Sequence, residues 1–152
     1  MVLLKDFNNE GFIFYTNYES NKGNDILKNT HVCLNFHWKS LLRQIRIEGK
    51  VEKVSKETSD KYFNSRHYLS RIGAWASNQS KVLKSREDLE NKIEFYKNKY
   101  PEKENFPRPD YWGGFIVKYS KIEFWEDMPH RIHKREVFEF KDNDWVSYTL
   151  SP

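Results

Sequence analysis

The densest chemistry in the chain lies near its C-terminus, where Arg131, His133 and Arg135 alternate with Ile132 and Lys134, downstream of Trp125. Alternate side chains of an extended strand share a face, so this spacing predicts two guanidinium groups and an imidazole in one row. Guanidinium forks pair with carboxylate or phosphate, and an imidazole can hold or release a proton near neutrality. Such a row suits a flat, anionic, proton-exchanging ligand, and would serve equally as the solvated face of an edge strand. A second constellation is Tyr62, Arg66 and Ser70, whose four-residue spacing would stack a phenol, a guanidinium and a hydroxyl along one helical face. Read alone, Tyr62 fits a core aromatic and Arg66 a solvated charge. His130 and His133 could pair on a metal, but no cysteine or His-Glu-x-x-His pattern accompanies them, which disfavours that reading.

These residues need a scaffold, and the pattern supplies one. Residues 1–5 and 11–17 predict a hairpin around the turn-forming stretch 6–10. A polar turn follows, with a short helix around residues 25–28 and a strand over 31–38. Residues 43–53 alternate, with Ile45, Ile47, Gly49 and Val51 on one side and Gln44, Arg46, Glu48, Lys50 and Glu52 on the other, predicting a strand with one core face and one polar face. From Ser55 the period becomes helical. A second short helix is expected over 69–77 and a polar loop over 78–84. Ser85 followed by Asp88 marks the start of a third helix, carrying Leu89, Ile93, Tyr96 and Tyr100 and stopped by Pro101.

A charged, proline-containing loop over 101–109 leads back to strands at 114–119, 121–125, 133–140 and 145–150. The segment from Tyr111 to Phe115 contains Gly113 and Gly114 and predicts a turn with close backbone approach. Trp75 is expected in a core or interface, and Cys33, in an apolar strand pattern, as an inert core thiol. Strands, inserted helices and strands again predict one α+β domain built on a mostly antiparallel barrel.

Composition narrows the class. The chain has 152 residues, 16% aromatic, with a formal net charge of +4 and a mean hydropathy of −0.91. That length supports one core. Basic residues are interleaved with acids, as in Glu48, Lys50, Glu52 and Lys53, the usual pattern of a solvated surface, and local positive clusters would serve small phosphorylated ligands as well as nucleic acid. One cysteine excludes an intramolecular disulfide and fits a reducing cytoplasm. No stretch predicts a membrane span or a signal peptide.

In order along the chain, Phe14-Tyr15-Thr16-Asn17, Arg43-Gln44, the Tyr62 to Arg66 block, Ile72-Gly73-Ala74-Trp75, Gln79-Ser80, Tyr111 to Phe115, Ile122 to Trp125 and Arg131 to Arg135 together resemble the pyridoxamine/pyridoxine 5'-phosphate oxidase family. The resemblance spans residues 1–152. It implies an FMN-binding split β-barrel that forms a homodimer with sites at the subunit interface, and oxidation of pyridoxamine or pyridoxine 5'-phosphate to pyridoxal 5'-phosphate with oxygen as acceptor. It further implies FMN contacts from Tyr15, Thr16, Lys22, Gln44, Gln79, Ser80, Trp125 and Arg135. Lys5, Tyr62, Arg66 and Ser70 would hold the substrate phosphate, and Arg131 and His133 would cover the pyridine ring as the catalytic pair. Two departures stand out: Asn21 occupies the place of a family arginine, and the family's usual N-terminal segment is missing ahead of Met1. The alternative is a noncatalytic or differently specific split-barrel flavin-binding protein.

Overall fold

The computed structural model describes residues 1–102 and 105–152, so residues 103–104 of the expected 101–109 loop lie outside the described residues. Its strands are β1 (Asp6–Asn8), β2 (Gly11–Asn17), β3 (His31–Trp38), β4 (Arg43–Lys53), β5 (Trp112–Glu126), β6 (Lys134–Lys141) and β7 (Asp144–Thr149), and its α-helices are α1 (Asn21–Lys28), α2 (Lys56–Ser65), α3 (Tyr68–Ala76) and α4 (Arg86–Lys99).

The long strand β5 organises everything else. It pairs antiparallel with β4 along most of its length, while its other edge is shared: β2 pairs with residues 112–117 and β6 with residues 121–126. Between those halves the β4–β5 register slips at Glu48/Gly49, leaving Ser120 without a partner on β4. A bulge of this kind bends and twists a strand, so the sheet diverges into two arms and the fold is a split antiparallel barrel with helices inserted between β4 and β5. Phe14, Val51, Phe115 and Val117 fill one core, and Phe63, Ile72, Phe106 and Trp112 a second where the helices cover β5.

Several expectations shift. The first strand is Asp6–Asn8 rather than residues 1–5, because Asn8 Oδ1 accepts from the N–H groups of Glu10 at 2.8 Å and Gly11 at 3.2 Å and tightens the turn. α1 begins at Asn21 because Ser20 caps it through Gly23 N–H. Residues 114–119 and 121–125 belong to one strand, and Tyr111 to Phe115 runs into that strand instead of turning. The close approach expected there is present: a Cβ on Gly114 would sit 2.6 Å from Val54 Cγ2 and 2.7 Å from Tyr15 Cε1. Cys33 is exposed, on the outward-facing series of β3, and is no core thiol. β6 starts at Lys134, leaving His133 just outside it. Ser55 and Ser85 cap α2 and α4 by accepting from Thr58 and Asp88 N–H groups at 3.1 and 3.0 Å.

Candidate functional site

The implicated residues fall into two separate hollows. The first is a cleft of about 730 Å³ whose lining includes Lys5, Tyr15, Thr16, Lys22, Tyr62, Arg66, Ser70 and Gln79. Its floor is a stack of aromatic rings. Tyr15 and Tyr62 lie 3.8 Å apart at 16°, and Tyr62 is nearly parallel to Trp112 at 6.2 Å. Arg108, in an ion pair of 2.8 Å with Asp60, also donates to the Trp112 carbonyl and anchors this floor.

Tyr62, Arg66 and Ser70 meet in the cleft, yet not on one helix. α2 ends at Ser65, Arg66 is extended with φ −76° and ψ 150°, and its N–H donates to Phe63 O at 3.2 Å. His67 then caps α3, its Nδ1 accepting from Leu69 N–H at 3.3 Å. The break between two helices, rather than a single helical face, delivers the three side chains. Arg66 lies over the Trp112 ring at 4.5 Å, and its Nη1 is buried with no hydrogen-bond partner among the described residues. Burial holds its pKa below the usual arginine range, with Tyr62 opposing. A buried guanidinium with an idle donor is costly unless an anion satisfies it.

In the same cleft, Lys22 Nζ donates to Thr16 Oγ1 at 2.7 Å, Gln79 Oε1 at 3.0 Å and Ser20 Oγ at 3.2 Å. All three partners are neutral. Desolvation lowers the Lys22 pKa, so here too a positive charge sits in a partly buried place without a carboxylate among the described residues.

The second hollow, a groove of about 800 Å³, is lined by Gln44, Trp125, His133 and Arg135 with apolar walls from Leu41, Ile45 and Phe124. Gln44 pairs with Trp125 across β4–β5, and Trp125 pairs with Arg135 across β5–β6. Directly paired residues project to the same face of a sheet, so amide, indole and guanidinium form one row across three strands. Glu123, 5% exposed, fixes Arg135 through an Nε–Oε1 contact of 2.7 Å, and Arg135 Nη1 donates to Ser151 O at 3.1 Å. His133 packs on Trp125 with ring centroids 4.7 Å apart.

Two expected placements differ. Arg131, His133 and Arg135 do not share a strand face, since only Arg135 lies in β6. Arg131 belongs to the turn Pro129–Arg131, where His130 and Arg131 have φ of 60° and 62°, and it is exposed and lines neither hollow. Ser80, with φ 68°, lines a neighbouring pocket over the 77–84 loop that it shares with Gln79. Within one chain Lys5 and Arg66 lie in a different hollow from Gln44 and Trp125, and the two hollows share no lining residue. Sequence reasoning missed Trp112 as cleft floor, Glu123 as the Arg135 anchor, and Asp127, which contacts His133. Glu123 alternates with Trp125 and was the one with a readable signal.

Residues 1–99 match the family model described as pyridoxamine 5'-phosphate oxidase, and residues 112–152 match the pyridoxine 5'-phosphate oxidase C-terminal dimerisation region. The pyridoxine/pyridoxamine 5'-phosphate oxidase of Cytophaga hutchinsonii is 52% identical over 153 residues, covering all of this chain and 71% of that protein. Its counterpart in Bartonella quintana is 55% identical over 155 residues, covering 100% of this chain and 74% of that one. Among solved structures, PhzG from Burkholderia lata 383, in complex with tetrahydrophenazine-1-carboxylic acid, superposes with a TM-score of 0.91 at 26% identity, over 99% of this chain and 73% of that one. A pyridoxamine 5'-phosphate oxidase-related, FMN-binding protein from Nostoc punctiforme shares the fold, with a TM-score of 0.75 at 12% identity over 99% of this chain and 79% of its own.

Proposed function

The chain belongs to the pyridoxamine 5'-phosphate oxidase family, and from that premise we propose that it oxidises pyridoxamine or pyridoxine 5'-phosphate to pyridoxal 5'-phosphate, using FMN and oxygen and releasing hydrogen peroxide. The carrying observation is the division of labour between the hollows: one offers two cations without a carboxylate partner among the described residues, Arg66 with an idle donor, and the other a flat wall edged with donors. Each active site is then the cleft of one subunit closed by the groove of its partner, two per homodimer. The match of residues 112–152 to a dimerisation region supports that assembly.

The donor set fits the cofactor. Lys22, Thr16 and Gln79, with Ser80 beside them and Tyr15 below, would hold the flavin phosphate, while Gln44, Trp125 and Arg135 would hold its ring. When bound, FMN supplies the hydride acceptor and the route to oxygen. The protein's own work is positioning and electrostatics. Arg66, with its idle Nη1, and Lys5, Tyr62 and Ser70 grip the substrate phosphate, which fixes how far the pyridine ring extends. Arg131 and His133, brought by the partner subunit, cover that ring. Arg131 balances negative charge on the ring oxygen, and His133 receives a hydrogen bond from the group at the carbon being oxidised. The turn holding Arg131 is in a left-handed conformation uncommon for side-chain-bearing residues, as at many functional sites. A single cysteine supports a cytoplasmic location.

The test is spectroscopic. Protein loaded with FMN and given pyridoxamine 5'-phosphate without oxygen should lose its yellow absorption band, and air should restore it with release of peroxide. A band that persists would overturn the assignment.

A further inference from the structure

We propose that Asp127 sets the tautomer of His133, keeping Nδ1 protonated and leaving Nε2 to accept a hydrogen bond from the substrate's amine or hydroxyl; this rests on His133 being the residue that meets the substrate. Two groups compete for the same ring nitrogen. His133 Nδ1 lies 2.9 Å from Asp127 Oδ1 and 3.3 Å from the backbone nitrogen of Met128. The carboxylate can only accept and the backbone N–H can only donate, so a neutral imidazole satisfies one of them and not both. The carboxylate contact is the shorter, and a hydrogen bond to an ionised acceptor is the stronger kind. It therefore selects Nδ1–H.

The arrangement is built to last. Asp127's own N–H donates to Leu42 O at 2.9 Å, tying its backbone to the turn between β3 and β4. The imidazole leans on Trp125 and is only partly exposed. Two of the neighbouring charges are committed elsewhere: Glu126 pairs with Arg43 at 3.1 Å, and Arg135 with Glu123. Remove the carboxylate and Met128 N–H becomes the remaining partner, which demands a lone pair on Nδ1 and moves the proton to Nε2. The face offered to substrate then changes from acceptor to donor. An alcohol or amine about to lose hydride presents an O–H or N–H, and the acceptor form takes that hydrogen and leaves the substrate lone pair free to assist hydride departure, whereas the donor form would occupy the lone pair.

Nitrogen-15 NMR of the holoenzyme, at alkaline pH where imidazoles are neutral, tests the idea, with the His133 signals assigned by their loss in His133→Gln. The wild type should have a pyrrole-like Nδ1 and a pyridine-like Nε2, and Asp127→Ala should invert them. Turnover at saturating pyridoxamine 5'-phosphate should fall about tenfold or more in Asp127→Ala, with KM changed far less. Asp127→Asn, which retains an acceptor oxygen, should recover both the tautomer and most of the lost turnover. A pyridine-like Nδ1 in the wild type, or Asp127→Ala with unaltered turnover, would overturn the proposal. The NMR result stands even if the protein oxidises no B6 phosphate, which separates failure of this inference from failure of the functional reading.

Discussion

Arg66 and Lys22 carry the electrostatic demand of the cleft, each a partly buried cation with only neutral partners among the described residues. A hydrogen bond to a charged partner is worth about 1.5–3 kcal/mol, so Arg66→Ala should raise the KM for pyridoxamine 5'-phosphate about ten- to a hundredfold. FMN affinity should hardly move. Steady-state kinetics beside a flavin fluorescence titration would expose an error if KM stayed constant. Asn21 begins α1 next to Lys22, and Asn21→Arg should tighten FMN by about tenfold if a second cation is useful there; unchanged affinity would mean the Lys22 cluster suffices. The residues of the cleft were legible in the sequence, although their geometry was not. The family resemblance selected Tyr62, Arg66 and Ser70 and their four-residue spacing suggested one helical face, but a helix break at Arg66 and His67 brings them together. Asp127 gave no signal, because one acid in a loop acquires meaning only when folding sets it 2.9 Å from His133. Cys33 was misread because its place on β3 faces outward.

Among the elements, strand β4 followed its alternation from Ile47 to Glu52, where Ile47, Gly49 and Val51 are buried and the residues between them are not, since burial on one face alone fixes a period of two. Strand β5 did not. Its two expected pieces are one strand because the irregularity at Ser120 is a bulge and not a turn, a distinction set by pairing partners far away in sequence. The junction of α3, α4 and β5 makes a testable unit. Tyr111 donates to Trp75 O at 3.0 Å, and burial pushes its pKa up from 10.0 to about 12. The unfolded chain therefore loses this proton first, and stability should fall as pH rises from about 10 towards 12. Tyr111→Phe should be less stable at neutral pH, having lost the hydrogen bond, yet show a shallower alkaline decline in thermal melts; an identical slope would remove Tyr111 from the account. Gly114→Ala forces a methyl group against Val54 and the Tyr15 ring. Overpacking typically costs about 1–3 kcal/mol, and the displaced Tyr15 should disturb the Tyr62 stack. A lower Tm accompanied by weaker substrate binding is the expected pair of results.

At the scale of the whole molecule, a single chain exposes what an active site would hide. Ile132 is 66% exposed, Leu41 59% and Phe124 42%, all around the groove that holds Trp125. Clustered apolar exposure beside polar anchors marks an interaction surface, here one that a second copy would cover while supplying its own cleft. The sequence resemblance implied a shared site; periodicity could not, because neither hollow is incomplete until distances are known.

The central claim is that cleft and groove act across subunits, and co-expression of two differently tagged variants, Arg66→Ala and Arg135→Ala, tests it. Each homodimer should be strongly impaired at substrate concentrations near the wild-type KM. In the purified heterodimer one site combines an intact cleft with an intact groove, so oxidation of pyridoxamine 5'-phosphate should return to about half the wild-type turnover per dimer, by the arithmetic of independent defects. Heterodimers as inactive as their parents would contradict the account, because every site would then draw both hollows from one chain.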